Sequence, residues 1–192
     1  MCNLYTQTKS VDEVARLFRD LQIPLTFSEG APNLQPREIA ITDSGPIVRA
    51  NGDGFEMVVR RWSWPAPGGK PVFNFRSDGR EFSGGRCLIV ADGFFEFTKT
   101  EDPKAKRKHK WLFRLREAGQ FAIAGLWRTD PQVGEAWTML TTEPGEDVKP
   151  YHNRQIVVLA PNDFERWLDP SVPAAELCRP LPGGSLSVEQ VC

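Results

Sequence analysis

A cysteine stands directly behind the initiator methionine in the opening stretch M-C-N-L-Y. If Met1 is removed, Cys2 carries a free α-amine and a thiol on adjacent carbons. The α-amine titrates near ~7.7–8.0 and a free thiol near ~8.5, so both nucleophiles are expected to be partly active at neutral pH. The alternative interpretation is structural, because cysteine also packs well as a small hydrophobic residue.

Three further stretches carry polar side chains where a β-rich chain does not need them. Asn74 lies among aromatics in P-V-F-N-F-R-S, Glu96 follows a predicted D-G turn in A-D-G-F-F-E-F, and His152 precedes an apolar run in Y-H-N-R-Q-I-V-V-L. A carboxyl group beside aromatic surface tends to have a raised pKa and can act as a general acid or base. Each residue alone has a structural explanation. Together with Cys2 they supply an amine-thiol nucleophile, a carboxamide, a carboxylic acid and an imidazole, a set that suits chemistry on a carbonyl carbon.

The composition indicates a globular protein with one domain over residues 1–192, since 40% of the residues are hydrophobic and 26% are charged. No apolar stretch approaches the ~20 residues that span a bilayer, so we expect no membrane association. The start does not resemble a secretion signal, which favours the cytoplasm. The four cysteines show no C-x-x-C spacing and neither histidine lies in a ligand motif, so we expect no metal and no cofactor.

Positive charge is concentrated in the middle of the chain. Residues 60–116 hold 14 Lys and Arg against 6 Asp and Glu, whereas the remainder holds 10 against 19. Arginines and aromatic rings alternate in this segment, which favours a basic face that binds a nucleic-acid backbone and stacks bases. The residues concerned are Arg60, Arg61, Arg76, Arg80 and Arg86, with Trp62, Trp64, Phe73, Phe75 and Phe82. The stretch K-A-K-R-K-H-K (104–110) could be only a solvated loop.

Two segments are predicted to be helical. In residues 10–23, Ser10 and Glu13 form a capping box ahead of an apolar stripe with helical spacing. Residues 162–168 follow a proline, and Asn162 is the predicted cap.

Most other apolar segments are typical of strands, and helices do not alternate with them. We therefore predict an α+β fold: a mostly antiparallel, barrel-like β-sheet with a few flanking helices. The tail after Leu168 is predicted to be irregular. The predicted strands are 37–42, 55–64, 86–90, 110–116, 120–127, 136–142 and 155–160.

The stretches M-C-N-L-Y, N-F-R-S, R-C-L-I-V-A-D-G-F-F-E-F and H-N-R-Q-I-V-V-L, in this order, resemble the SRAP (SOS response-associated peptidase) family. The resemblance runs from Cys2 to about Leu168. It implies a barrel-like α+β domain with a basic DNA groove, which protects abasic sites in single-stranded DNA by binding them covalently. The expected partner is single-stranded DNA containing abasic sites, and we expect a nucleoid-associated monomer.

The resemblance also implies roles for individual residues. Cys2 is the nucleophile after loss of Met1, and Asn74 orients its α-amine or the sugar. Glu96 moves protons, and His152 assists ring opening and Schiff-base chemistry.

A second group of residues is implied to contact DNA. Two arginines hold phosphates, and the other four match family segments around the site. The six residues are Arg76, Arg154, Asn33, Pro36, Trp62 and Phe97.

The sequence departs from the family pattern at a few positions. Asn3 and Leu4 stand where many members have Gly and Arg, so one phosphate contact is expected to be missing. Phe97 stands where Trp is frequent, and Ser63 where Gly is usual. These changes bear on DNA affinity and on strand-versus-junction preference more than on the chemistry.

The implied mechanism explains why cysteine must be the first residue. The amine attacks the ring-opened aldehyde at C1′ to give a Schiff base, and the thiol then closes a five-membered thiazolidine. The same site could release Met1 autocatalytically. Two alternatives remain open at this point: an N-terminal-nucleophile hydrolase resembling glutamine amidotransferases, and a non-catalytic single-strand-binding module in which Cys2 is incidental.

Overall fold

The structure is a computed structural model that describes residues 2–101 and 108–191. Strands dominate this part of the chain. In chain order they are β1 Leu4–Gln7, β2 Leu25–Thr26, β3 Arg37–Ala40, β4 Ser44–Asn51, β5 Gly54–Trp62, β6 Trp64–Pro65, β7 Pro71–Val72, β8 Asn74–Arg76, β9 Arg86–Ala91, β10 Gly93–Thr98, β11 His109–Leu115, β12 Phe121–Asp130, β13 Gly134–Thr142, β14 Gln155–Ile156, β15 Val158–Leu159 and β16 Leu186–Gln190. The helices are α1 Val11–Asp20, α2 Phe164–Leu168 and α3 Ala174–Leu177.

Five strands close into a barrel. The order β13-β12-β9-β4-β5 runs through antiparallel neighbours, and β5 then pairs with β13 in parallel, with Ala136 opposite Arg61 and Trp137 opposite Trp62. That last pairing completes the ring, which we call the barrel. The predicted α+β, barrel-like and mostly antiparallel fold is therefore confirmed.

A second sheet lies against the barrel in the order β16-β11-β10-β1-β3. All of its pairings are antiparallel. The N-terminal strand β1 is internal to it, because Tyr5 lies opposite Ile39 on one side and opposite Phe94 on the other. The start of the chain is thus built into the sheet.

Alternating residues of the barrel strands face two separate hydrophobic clusters, as the two-residue period of a strand requires. Ile47 and Ile89 join the cluster that also contains Cys2 and residues of the second sheet. Val48 belongs to the other cluster, with the helix residue Phe18. The N-terminal cysteine is therefore part of the core between barrel and second sheet.

The first helix begins as the sequence predicts. Ser10 Oγ accepts a hydrogen bond from the Glu13 amide at 3.2 Å, and Glu13 Oε2 accepts from the Ser10 amide at 2.9 Å. The capping box is confirmed. Within the described ranges, no helix is long and apolar enough to cross a membrane.

The second predicted helix starts later than expected. Residues Pro161–Asp163 form a 3₁₀ turn that contains Asn162, and α2 begins at Phe164 without a side-chain cap. The predicted capping role of Asn162 is wrong, because the proline-led turn supplies the start of the helix.

The tail after Leu168 is not wholly irregular. It contains α3 and the edge strand β16, whose Val188 lies opposite Phe113 of β11. A strand of five residues after a Gly-Gly turn carries too little alternation to stand out in the sequence.

Thr42 has a backbone φ of +79°, in the left-handed region that β-branched residues rarely adopt. Its side chain is exposed. We expect Thr42→Gly to raise the free energy of unfolding by about 1 kcal/mol, because relief of backbone strain exceeds the entropy cost of glycine. Urea denaturation measures this. Thr129→Gly, at an exposed position inside β12, is the control and should destabilise; equal destabilisation by both changes would contradict strain at Thr42.

Candidate active site

Cys2 lies just before β1 and is only 1% exposed. Its thiol donates a hydrogen bond to the Leu4 carbonyl at 3.3 Å. Burial, followed by the nearby negative charge of Glu96, raises the pKa of the Cys2 thiol to about 12. The thiol is therefore protonated at neutral pH, which corrects the sequence-based expectation of partial ionisation. A base must take its proton when it reacts.

Glu96 is brought next to the N-terminus by strand pairing. It lies on β10, where Tyr5 faces Phe94, and continuing this antiparallel register places Asn3 across from Glu96. Glu96 is 1% exposed, and burial raises the pKa of its carboxyl group to about 7. At neutral pH the group exists in both protonation states, as a proton shuttle requires.

Asn74 is the first residue of β8, which runs parallel to β13. Its Nδ2 donates a hydrogen bond to the Cys2 carbonyl at 2.9 Å. Its Oδ1 is buried and accepts no hydrogen bond from any described residue. One end of the amide thus holds Cys2 in place, and the other end is a buried acceptor.

His152 follows the turn that ends β13. Its Nδ1 is 3.0 Å from the Arg154 amide nitrogen and 3.0 Å from the Arg154 carbonyl oxygen. The neutral ring can accept from the amide, and the protonated ring can donate to the carbonyl. Burial lowers the pKa of His152. Either protonation state therefore retains a backbone partner.

Glu96 and His152 line a common cleft of 260 Å³, which we call the Glu96 cleft; Cys2 and Asn74 are not among its wall residues. Its walls are formed by Asn3, Glu96, Phe97, Lys108 and His152. In the sequence, Asn3 stood out only as a departure from the family pattern and Lys108 only as part of a basic stretch, and neither was predicted as a site residue. The lysine belongs to the K-A-K-R-K-H-K stretch, and residues 104–107 of that stretch lie outside the described part of the chain.

The two predicted phosphate-binding arginines differ in their surroundings. Arg76 is exposed. Arg154 forms a two-pronged ion pair with Asp78, with Nη1–Oδ1 at 3.0 Å and Nη2–Oδ2 at 2.6 Å. This guanidinium lowers the pKa of the Asp78 carboxyl group. The charge of Arg154 is therefore already balanced within the protein.

Trp62 does not reach the surface. It is 0% exposed, stacks on Trp137 with ring centroids 5.4 Å apart, and donates Nε1–H to the Phe73 carbonyl at 2.9 Å. The predicted DNA contact by its side chain is contradicted, because no face of the indole is free for a base. Trp62 instead packs in the core beneath Tyr5.

The predicted Asn33 and Pro36 contacts lie outside the Glu96 cleft. Both residues are exposed, and Asn33 lines a different depression of 310 Å³ beside Gln7. Phe97, in contrast, is a wall of the Glu96 cleft and is half-buried.

The predicted basic face is smaller than the charge count indicates. Arg60 binds Glu29 and Glu135. Arg86 is 5% exposed and donates to backbone carbonyls, including that of Val172 at 2.9 Å. Both arginines are therefore engaged within the protein, and Arg86 has almost no exposed surface for DNA.

Two members of the predicted set keep the expected character. Arg76 and Arg80 are exposed, and the Arg80 guanidinium lies 4.9 Å from the centre of the Phe75 ring. Trp64, by contrast, is 7% exposed and belongs to the interior.

No three His, Cys, Asp or Glu side chains in residues 2–101 and 108–191 are grouped so that they could hold a metal ion. The Glu96 cleft instead combines a carboxyl group with a pKa of about 7 and an imidazole with two backbone partners, and Cys2, which Asn74 fixes, directly precedes the wall residue Asn3. Such a set can move protons during addition to a carbonyl carbon.

Residues 1–192 match the family model described as SOS response associated peptidase (SRAP). The chain is 34% identical to the abasic site processing protein YoaM of Bacillus subtilis (strain 168), over 88% of this chain and 80% of that one. It is 26% identical to the abasic site processing protein YobE of the same organism, over 88% and 83%. A crystal structure of a Bacteroides thetaiotaomicron protein has a TM-score of 0.75 at 16% identity, over 100% of this chain and 92% of that one, which shows a shared fold.

Proposed function

The chain belongs to the SRAP family, and from that premise we propose that it processes abasic sites in DNA by forming a covalent bond through Cys2. The relatives named abasic site processing proteins support the substrate. One observation carries the chemistry: Asn74 holds the Cys2 carbonyl at 2.9 Å while the neighbouring residue, Asn3, forms a wall of the cleft with Glu96.

The first step joins the α-amine to the sugar. After loss of Met1, the lone pair of the Cys2 amine attacks the C1′ aldehyde and gives a carbinolamine. Protonated Glu96 donates a proton to the departing hydroxyl, and water leaves as the imine forms. A carboxyl group with a pKa of about 7 can make this donation at neutral pH.

The second step closes the ring. The Cys2 sulfur adds to the imine carbon, and the S–H proton passes to the imine nitrogen. Because the thiol is protonated at neutral pH, a neighbouring base must carry this proton. Ionised Glu96, whose negative charge already acts on the thiol, is suited to the task. The product is a five-membered thiazolidine, which only a 1,2-aminothiol can form.

Asn74 and His152 assist different parts of the reaction, the first by orienting groups and the second by accepting a proton. The buried Asn74 Oδ1 is an acceptor for an N–H of the amine or a hydroxyl of the sugar. In the tautomer whose Nδ1–H donates to the Arg154 carbonyl, His152 accepts the proton of the C1′ hydroxyl at Nε2 as the C1′–O4′ bond breaks, and O4′ takes up a proton from solvent. Holding both partners in this geometry supplies much of the rate enhancement.

The DNA is held by charge and by stacking. We propose that exposed Arg76 and cleft-wall Lys108 contact phosphates and that Phe97 stacks on a base, which favours single strands without sequence preference. Arg154 can join only if a phosphate shares it with Asp78. We further propose that the protein acts as a nucleoid-associated monomer and releases Met1 autocatalytically.

The direct test mixes the purified protein with a single-stranded oligonucleotide that carries one abasic site, followed by a denaturing gel. We expect a crosslinked band with the wild type and with Cys178→Ala, and none with Cys2→Ala or with intact DNA. Cys178 is the matched control, because it is a half-buried cysteine outside the cleft. Mass spectrometry checks the loss of Met1.

Three outcomes would contradict the proposal. A crosslink that persists in Cys2→Ala would assign the bond to another residue. A folded wild type without Met1 that gives no crosslink would redirect attention to the hydrolase alternative, which a glutaminase assay tests. Non-covalent binding alone, equal in wild type and Cys2→Ala, would favour a single-strand-binding module.

A further inference from the structure

Asp92 lies where the chain passes from the barrel to the second sheet. It follows β9, which belongs to the barrel, and precedes β10, which carries Glu96. The turn predicted at Asp92-Gly93 is a bend at Asp92, and the two strands that it connects, β9 and β10, lie in different sheets. Asp92 is 8% exposed.

The Asp92 side chain is surrounded by donors from the N-terminal segment. Oδ1 accepts from the Thr6 hydroxyl, and Oδ2 accepts from the Thr8 hydroxyl and from the Thr8 backbone amide at 2.7 Å. The Asp92 amide in turn donates to the Thr6 carbonyl at 3.0 Å. Four hydrogen bonds thus join one residue to β1 and to Thr8, the residue that follows it.

Gly93 makes this approach possible. It lies opposite Thr6 in the β1–β10 pairing. A Cβ at Gly93 would come within 2.8 Å of the Thr6 hydroxyl oxygen and 2.8 Å of Leu112 Cδ1, which is closer than side chains pack. The pair therefore has two roles: the aspartate binds β1, and the glycine leaves room for it.

The contact between Asp92 and Thr6 controls the register of β1 against β10, and so which residues of the two strands lie opposite each other near Glu96. Strand β1 has only four residues, and its register is specified by the buried side chain of Tyr5 together with the Asp92 contact. A slip by one residue would turn every side chain of β1 to the opposite face. With Thr6 held at Asp92-Gly93, the antiparallel register brings Asn3, and with it Cys2, to Glu96.

We propose that Asp92 is a positioning residue for the reaction of Cys2: its carboxylate holds Thr6 and Thr8 so that the N-terminal residue stays beside Glu96. The inference rests on the proposed function, because it concerns the rate of the same covalent reaction. Asp92 acts through β1 and touches neither the thiol nor the cleft.

The test is single-turnover crosslinking with an abasic oligonucleotide, comparing wild type with Asp92→Asn. The carboxamide has a single oxygen acceptor for the three donors of Thr6 and Thr8, so β1 should loosen. We expect the maximal rate to fall by roughly 10- to 100-fold, the scale of an error of about 1 Å in placement. The half-saturating DNA concentration should not change, since no DNA-binding group is altered.

Asp130→Asn is the matched control. Asp130 is also buried, at 5% exposed, and also accepts hydrogen bonds, from the Gln132 amide and from Arg128, both at 3.0 Å. It lies at the β12–β13 end of the barrel and should lower thermal stability while the crosslinking rate stays close to that of wild type. A purely structural role for Asp92 predicts fewer active molecules, seen as a smaller reaction amplitude, and not a slower rate.

Two results would overturn the inference. The first is an Asp92→Asn rate equal to wild type, and the second is an unchanged rate with reduced amplitude only. If Asp92→Asn does not fold, Thr8→Ala removes a single hydroxyl donor and should slow the reaction in the same direction; an unchanged Thr8→Ala rate would then count against the inference. Absence of any wild-type adduct would instead refute the proposed function.

Discussion

Serine at position 2 should still form an imine with the abasic aldehyde, yet yield almost no adduct that survives denaturation. The α-amine is unchanged in Cys2→Ser, so borohydride should trap a covalent product at close to the wild-type level. Without borohydride, the denaturation-resistant product should fall by about 100-fold or more, because the ring-closing nucleophile is gone. The ratio of trapped to untrapped product on a denaturing gel measures this separation of the two steps.

Serine suits this experiment because it fits the site. The hydroxyl can donate to the Leu4 carbonyl as the thiol does, and Asn74 binds the backbone of residue 2, which the change leaves intact. Cys178→Ser serves as the control for general loss of a thiol. A Cys2→Ser adduct as durable as that of wild type would rule out the thiazolidine and leave the imine, or another bond, as the stable product.

Glu96→Gln should slow crosslinking by about 100- to 1,000-fold, the usual contribution of a positioned acid or base. The wild-type rate should change with pH around the Glu96 pKa of about 7, because one protonation state expels water and the other accepts the thiol proton. Glutamine cannot titrate, so the residual crosslinking rate of Glu96→Gln should not change with pH around 7. Rates measured between pH 5.5 and 8.5 with a single oligonucleotide decide this; a retained inflection near pH 7 would assign the titration to another group.

Stability measurements separate this effect from unfolding. Burial raises the pKa of Glu96 above the ordinary value of a carboxyl group, so the folded state favours the protonated form. The stability that protonated Glu96 contributes is present below its unfolded pKa and is lost as pH rises through about 7. Glu96→Gln should lack this loss, so at pH 8 the variant should be at least as stable as the wild type.

Local signals in the sequence were sufficient for much of the secondary structure. The Ser10 and Glu13 capping box predicts the start of α1, and apolar runs predict the barrel strands β5, β9, β12 and β13 to within a few residues, whereas the barrel strand β4 was not predicted. Such features depend on neighbours only a few residues away, which is why they can be seen without a structure.

Contacts between distant residues could not be predicted in this way. Trp62 and Arg86 look alike in the sequence as members of a cationic and aromatic segment, yet one stacks on Trp137 and the other binds the Val172 carbonyl. Whether such a residue faces solvent depends on segments 75 or more positions away. The parallel closure of β5 on β13 has the same origin.

The candidate site contains residues that local sequence reveals and residues that only long-range contacts reveal. Glu96 and His152 stand out because their types are unusual for their segments, and both line one cleft. Asp92 was noticed only as half of a turn signal, because its partner Thr8 lies 84 residues earlier in the chain. A carboxylate that acts on a site through residues distant in the chain leaves no local pattern in the sequence.

The burial of Cys2 has a consequence for its resistance to oxidation. Peroxide attacks thiolates that it can reach, and a protonated thiol that is 1% exposed is a poor target. In the chain that retains Met1, Cys2 should therefore persist in reduced form through oxidative conditions that would convert an exposed, ionised cysteine to sulfenic or sulfinic acid. Protein stored in air without added reductant should accordingly lose its crosslinking activity slowly.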